Sequence, residues 1–161
     1  MEYTVRTACL EDLPRIFEIY ARARRFMAEN GNPTQWGSNK PSEELLREDI
    51  RQRRLQVAVS GGEIHGVFYF FIGEDPTYCR IDGGAWLSEA PYGTSHRIAS
   101  DGCGGVFSAC LQWCLAQIRH LRIDTHRNNL VMQHVVQKHG FSYRGIIYVE
   151  DGSERIAFER L

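Results

Sequence analysis

The spacing of apolar positions changes several times along the chain, and each change marks a predicted element. Apolar residues that recur every three or four positions predict four amphipathic helices. These helices are predicted at Leu13–Met27, Ser42–Ile50, Val106–Ile118 and Asn128–His139. In the second helix, which Ser42 caps, the pattern places Leu45, Leu46, Asp49 and Ile50 on one side.

Alternating positions and short apolar runs predict seven strands between these helices. The predicted strands are Tyr3–Ala8, Leu55–Ser60, Glu63–Ile72, Ser95–Ser100, Leu121–Thr125, Phe141–Val149 and Arg155–Arg160. The run from Val67 to Ile72 is apolar at every position, which predicts a central strand that is covered on both faces. A further short strand is possible around Tyr78–Trp86. The resulting order, βααβββαβαββ, predicts an α/β or α+β domain with a mixed sheet.

The densest glycine turn precedes the third helix. It reads Asp101-Gly102-Cys103-Gly104-Gly105, and the helix then begins at Val106. The first N–H groups of a helix have no partner within it, and the helix dipole adds positive potential there. A turn of this kind suits a phosphate group.

Composition narrows the class of protein. The chain has 161 residues and a formal net charge of -1, which predicts one globular domain over residues 1–161. No long basic run is present, so we expect no nucleic-acid partner, and Arg22, Arg24 and Arg25 are interpreted as a solvated helix face. No apolar stretch suits a membrane span, so no membrane partner is expected. The five cysteines lack the spacing of a disulfide framework, which favours a cytoplasmic protein.

The segment from His96 to Phe141 resembles the acetyltransferases of the GCN5-related (GNAT) superfamily. The family's turn, Arg/Gln-x-x-Gly-x-Gly/Ala, aligns with Gly105 as its central glycine, although Gly102 and Phe107 depart from it. The family pattern Asn-x-x-Ala-x-x-x-Tyr-x-x-x-Gly-Phe is matched in spacing by Asn129, Met132, Val136, Gly140 and Phe141. The resemblance implies a mixed, mostly antiparallel central sheet flanked by about four helices.

The same resemblance implies acetyl-CoA as co-substrate and a place for it. The strand before the turn would bind the pantetheine through its backbone, the turn would hold the pyrophosphate, and Asn129 would reach the pantetheine arm. The cofactor-binding residues implied are Ile98, Ala99, Ser100, Gly102, Cys103, Gly104, Gly105, Val106, Phe107, Asn129 and Met132. Asn129 can equally be the N-cap of its helix.

Transfer to an amine needs a base, because an amine with a pKa near 10.4 is protonated at neutral pH. His96 and His126 are the candidate bases, and Glu63 and Asp82 stay open as alternatives. Val136 stands where relatives carry a tyrosine acid, so Tyr143 is the candidate replacement. No metal is expected, because the histidines match no zinc spacing. Cys103, at a helix N-terminus that would lower its pKa, is an alternative nucleophile.

The sequence therefore predicts an N-acetyltransferase in which the amine of a small molecule or peptide attacks acetyl-CoA directly. The acceptor would enter beside the loop between the first two helices, where Gln35 and Trp36 can orient it. Trp36 can equally pin this loop to the domain. The alternatives are a non-catalytic acyl-CoA-binding or regulatory domain and an α/β domain unrelated to coenzyme A. The sequence does not identify the acceptor, and a homodimer is possible.

Overall fold

The computed structural model describes all residues from Met1 to Leu161, and its elements follow the predicted order. The strands are β1 (Thr4–Thr7), β2 (Leu55–Ser60), β3 (Glu63–Ile72), β4 (Gly93–Ser100), β5 (Leu121–Thr125), β6 (Ser142–Tyr148) and β7 (Glu154–Arg160). The helices are α1 (Leu13–Glu29), α2 (Glu43–Arg51), α3 (Val106–Gln117) and α4 (Leu130–Lys138). The predicted fold class is confirmed.

The seven strands form one sheet in the order β1-β2-β3-β4-β5-β7-β6. Only β4 and β5 are parallel, and all other neighbours are antiparallel. As predicted, β3 is covered on both faces: Val67 packs in the core under α1 and α2, whereas Phe68 packs in the core under α3. The sheet is therefore the middle layer of three.

The parallel pair opens soon after it begins. Gly93 pairs with Leu121 and Thr94 with Arg122, and no further residues of β4 and β5 pair. Just beyond that point the β3–β4 register shifts, and Arg97 has a positive φ of 55°. A bulge of this kind bends a strand, so β4 turns away from β5 and leaves its facing backbone edge unpaired.

One local prediction is wrong. Tyr78–Trp86 is not a strand: it contains a 3₁₀ turn at Pro76–Tyr78 and one isolated bridge from Asp82 to Ile146. Its aromatic residues pack on one another instead, with the Tyr78 and Trp86 ring centroids 5.2 Å apart. In α2, Leu46, Asp49 and Ile50 are buried, whereas Leu45 is 39% exposed at the edge of the same side. No helix is long and apolar enough to cross a bilayer.

Candidate active site

A groove of about 400 Å³ runs between α1, the end of β4, the glycine turn and α4. All eleven residues that the resemblance assigned to the cofactor line it. They are Ile98, Ala99, Ser100, Gly102, Cys103, Gly104, Gly105, Val106, Phe107, Asn129 and Met132. The fold thus brings together residues from three elements and one turn in a single groove.

The glycine turn presents free N–H groups at the start of α3. Gly102 and Gly105 have φ values of 93° and 81°, which glycine adopts without strain. The first backbone bond of α3 runs from Ala109 N to Gly105 O at 3.0 Å, so the preceding N–H groups of the helix remain unpaired within it. The Cys103 N–H, by contrast, donates to Asp101 Oδ1 at 3.0 Å. The donors available to an anion therefore lie beyond Cys103.

Arg22 brings a positive charge to this turn that sequence reasoning missed. It lies on α1, lines the groove, and its guanidinium stands over Gly102, so that a Cβ at Gly102 would collide with it. Gly102 occupies the position of the family's Arg or Gln, and its missing side chain makes room for Arg22. The interpretation of the α1 arginines as a solvated face is therefore incomplete. No sequence pattern could show this contact, because 80 residues of sequence separate Arg22 from the turn.

A second, larger cavity of about 830 Å³ lies across the sheet from the groove, beyond the point where β4 and β5 separate. Its walls are the loop before α2, α2 itself, the loop after β3, and the β6–β7 hairpin. Most of its lining is polar or charged, as suits a hydrophilic acceptor. Gln35, Trp36, Asp75, His96 and Asp124 are among the residues that line it.

A small cavity of about 30 Å³ lies between the groove and the larger cavity, which we call the acceptor cavity after the role proposed for it below. It shares Ile98, Asn129 and Met132 with the groove. It shares His96 and Asp124 with the acceptor cavity. The three cavities therefore follow one another across the sheet where β4 and β5 separate, and each shares walls with the next. We call these three cavities together the path.

His96 lies in this path between two carboxylates. Its Nε2 is 2.7 Å from Asp75 Oδ2, and its Nδ1 is 3.5 Å from Asp124 Oδ2. Burial alone would raise the pKa of Asp75, but hydrogen bonds from His96 and Thr77 outweigh it and hold that pKa at about 2. An ionised Asp75 can only accept, so Nε2 of His96 carries a proton, and in the neutral form of the ring the lone pair is on Nδ1.

The other carboxylate, Asp124, is held from the far side by Tyr78. The Tyr78 hydroxyl donates to Asp124 Oδ2 at 2.7 Å, and burial followed by the Asp124 charge raises the pKa of Tyr78 well above its usual value. Beside His96, Arg97 donates to the buried Asp49 at 2.5 Å. Burial raises the pKa of Asp49 even though Arg97 opposes the shift. These contacts fix the floor of the acceptor cavity.

Gln35 and Trp36, the predicted acceptor-binding residues, both line the path, and both also contact neighbouring residues of the domain. Gln35 Oε1 accepts from Asn32 Nδ2 at 2.8 Å and from Asn129 Nδ2 at 3.2 Å. Asn129 also caps α4, since its Oδ1 accepts from Met132 N at 3.1 Å. Trp36 packs edge-on against Tyr20 with a centroid separation of 5.5 Å. The two readings of Trp36, a wall of the site and a pin for the loop, therefore coexist.

Two candidate catalytic residues lie outside the path. Tyr143 is 49% exposed on β6 and packs against Phe158. His126 lines none of the three cavities, and its Nδ1 accepts from the Asn128 N–H at 3.0 Å. Burial lowers the pKa of His126, and nearby arginines lower it further. The fold directs both side chains elsewhere, so His96 is the one of the three candidate catalytic residues that lines the path.

The alternative role of Cys103 is not supported. A hydrogen bond with Asp101 and partial desolvation raise the pKa of its thiol, which is the opposite of the predicted direction. Cys103, His65 and Asp101 have donor atoms within 4.8 Å of one another. Arg15 donates to the same Asp101 oxygen as His65 does, at 2.9 Å. A cation at that oxygen would therefore have to displace a guanidinium.

Comparison with known proteins agrees with this architecture. No protein-family model matches the chain, and no curated protein matches it by sequence. Among solved structures, a GNAT-family acetyltransferase from Streptococcus agalactiae 2603 is 25% identical, with a TM-score of 0.90 over 99% of this chain and 95% of that chain.

Two more distant structures share the fold. A phosphinothricin acetyltransferase of the GNAT superfamily from Sinorhizobium meliloti, solved in complex with AcCoA, is 19% identical, with a TM-score of 0.65 over 99% of this chain and 88% of that chain. A ribosomal-protein-alanine N-acetyltransferase from Brucella melitensis is 15% identical, with a TM-score of 0.64 over 98% of this chain and 99% of that chain. The molecule is an α+β domain with a mixed, mostly antiparallel sheet. More particularly, it has the GNAT fold along nearly its full length, which confirms the resemblance predicted from the sequence.

Proposed function

We propose that the protein is an acetyl-CoA-dependent N-acetyltransferase, in which the amine of a small molecule or peptide attacks the thioester directly. The observation that carries this proposal is the row of three cavities with shared walls, which leads from the groove to the polar acceptor cavity. A binding groove alone would serve any acyl-CoA protein, whereas a path through the sheet lets a second substrate reach the acyl group. The complex of the Sinorhizobium meliloti relative with AcCoA supports acetyl-CoA as the donor.

The groove fits coenzyme A in both charge and backbone. The pyrophosphate would accept from the free N–H groups at the start of α3 and face the Arg22 guanidinium. The pantetheine amides would pair with the edge of β4 that faces β5, which is unpaired after Thr94. Bound there, acetyl-CoA supplies the acetyl group as a thioester.

His96 is the general base in this proposal. An ionised Asp75 holds its Nε2–H, which orients the ring and leaves the Nδ1 lone pair at the reaction path. Asp124, 3.5 Å from Nδ1, would receive the acceptor as an ammonium ion, and His96 would then take its proton. Most of the remaining rate enhancement would come from holding the amine against the thioester.

Two measurements test the function. Calorimetric titration with acetyl-CoA measures binding, and release of free thiol is then followed with a panel of primary amines. We expect micromolar binding and amine-dependent thiol release, and His96→Gln should reduce kcat by roughly 100-fold or more with binding unchanged. Tyr143→Phe, at a residue outside the path, is the matched control and should retain full activity.

One observation favours a second candidate, a non-catalytic acyl-CoA-binding domain. Val136, at the position of the family's tyrosine acid, is 0% exposed and packs in the core. Binding of acetyl-CoA without thiol release by any amine in the panel would favour that candidate. If the protein bound no coenzyme A species, both the acetyltransferase and the acyl-CoA-binding domain would be ruled out.

A further inference from the structure

The reaction proposed above leaves one group without an assigned partner, the sulfur that departs from the acetyl carbon. The position of the usual acid is filled by Val136, whose side chain has no proton to donate. Tyr143 does not line the path. Any donor to the sulfur must therefore come from the small cavity where the groove meets the acceptor cavity.

Thr125 meets this requirement. It is the last residue of β5, it is 1% exposed, and it lines the small cavity. Its Oγ1 is buried and has no hydrogen-bond partner. A buried hydroxyl without a partner is costly, and such a group is rare unless a ligand or water completes it.

The position of Thr125 on β5 separates it from the acceptor side. Successive side chains of a strand point to opposite faces, so Asp124 faces the acceptor cavity and Thr125 faces the layer of α3 and α4. Asn129 and Met132, which line the groove, also line the small cavity beside Thr125. The base and the unpaired hydroxyl thus stand on opposite sides of the place where the reacting atoms meet.

Resting on the proposed function, we propose that the Thr125 hydroxyl donates a hydrogen bond to the coenzyme A sulfur as the C–S bond breaks. Before that step, His96 releases the proton of the ammonium ion to solvent through the acceptor cavity. In the step itself the N–C bond forms, the C–S electron pair moves to sulfur, and one of the two remaining amine protons goes to His96. Thr125 keeps its proton and stabilises the thiolate. An ordinary thiol has a pKa of about 8.5, so a thiolate held by one hydrogen bond is an adequate leaving group near neutral pH.

Ser95 is the other buried hydroxyl at this cavity and provides the control. Its Oγ, like Thr125 Oγ1, is buried and has no hydrogen-bond partner in the structure. Ser95 lies near the buried Cys114 thiol, whose pKa burial raises to about 12 while the proximity of Ser95 partly offsets that shift. The two hydroxyls are therefore matched in burial, and they differ in the strand that carries them, β4 for Ser95 and β5 for Thr125. Removal of the Ser95 hydroxyl should not affect the sulfur.

The test uses coenzyme A itself and does not require a known acceptor. The thiolate fraction of bound coenzyme A is measured by ultraviolet absorbance across pH, as the difference from the same protein with acetyl-CoA, which has no thiol. The variants are Thr125→Val, which keeps the shape and removes the hydroxyl, Thr125→Ser, which keeps the hydroxyl, and Ser95→Ala. Acetyl-CoA affinity is measured calorimetrically for each variant.

We expect Thr125→Val to lower the thiolate fraction about tenfold at any pH where the parent is mostly thiol, because a hydrogen bond to a charged group is lost. Acetyl-CoA affinity should change less than about threefold, since a neutral thioester accepts weakly. Thr125→Ser and Ser95→Ala should resemble the parent.

An unchanged thiolate fraction in Thr125→Val, or a loss caused by Ser95→Ala instead, would overturn the assignment while leaving the proposed function intact. A parent protein that binds no coenzyme A would overturn both. Where the amine panel yields an acceptor, kcat should fall roughly tenfold in Thr125→Val and not in Thr125→Ser.

Discussion

At the scale of single residues, the most specific prediction about the groove concerns Arg22. Arg22→Ala should weaken coenzyme A binding about five- to tenfold, because an exposed guanidinium–phosphate contact contributes on the order of 1 kcal/mol. The affinity of the variant should also depend less on salt concentration. Calorimetry across a salt series measures both effects.

The matched control for this prediction is Arg25→Ala, since Arg25 is exposed on the same helix but does not line the groove. Acetyl-pantetheine, which lacks the pyrophosphate, should bind the parent and Arg22→Ala equally. Equal weakening for both ligands would mean that Arg22 supports the groove without contacting the phosphates.

Asp75 leads to a prediction about acid stability. Its pKa is held at about 2, below the unfolded value near 3.9. A lowered carboxyl pKa stabilises the folded state above the unfolded pKa, and that stability is lost as pH falls through the folded pKa. Asp75→Asn should therefore be less stable than the parent at neutral pH, with a deficit that shrinks between about pH 4 and pH 2. Urea unfolding at several pH values measures the deficit.

Asp12 provides the comparison for Asp75. Its pKa is also held at about 2, chiefly by hydrogen bonds from Arg6, and it lies away from the three cavities. Asp12→Asn should show the same kind of pH-dependent deficit with unchanged activity, whereas Asp75→Asn should also impair catalysis through His96. Full activity in Asp75→Asn would argue against the orienting role of Asp75.

At the scale of elements, the start of α4 joins the groove to the acceptor loop through Asn129 and Gln35. Gln35→Ala removes the link and keeps the helix cap, whereas Asn129→Ala removes both. We expect Gln35→Ala to raise the KM of the acceptor with stability nearly unchanged. Asn129→Ala should raise it similarly and also destabilise the fold by about 1 kcal/mol. Kinetics and urea unfolding of the pair separate the two roles; equal stability of both variants would contradict the cap.

The elements themselves were predictable because their signals are local. The periodicity of apolar positions that predicts helices and strands involves residues close in sequence. The glycine turn and Asn129 likewise belong to short motifs within one segment of the chain. Tyr78–Trp86 was misjudged because alternation there serves an aromatic cluster rather than a ladder. The charged contacts of the site were not predictable. Arg22 with Gly102 and Asp49 with Arg97 are distant in sequence, and only the layered sheet brings them together.

At the scale of the whole molecule, the groove touches both helical layers of the sheet. Arg22 and Met27 come from α1 on one face, and Phe107 and Met132 come from α3 and α4 on the other. A ligand bound across these layers would contact both cores at once. Its binding energy should therefore appear as stability of the entire cooperative unit rather than of one loop.

Acetyl-CoA should accordingly raise the melting temperature of the protein. At 100 times its Kd, a ligand that binds only the folded state adds about 2.7 kcal/mol, which corresponds to roughly 5–10 °C for a chain of this size. Gly105→Glu should abolish the increase, since it places a carboxylate and a strained side chain where the phosphate would lie.

Gly152→Glu is the matched control for this change, because Gly152 has nearly the same φ, 82° against 81° for Gly105, and lies in the β6–β7 hairpin with open space around it. Both variants should melt below the parent, by a similar amount that reflects the left-handed backbone alone. Only Gly152→Glu should regain the full increase with acetyl-CoA. If Gly105→Glu were stabilised equally, the ligand would be bound elsewhere, and the glycine turn would be a structural turn without a role in phosphate binding.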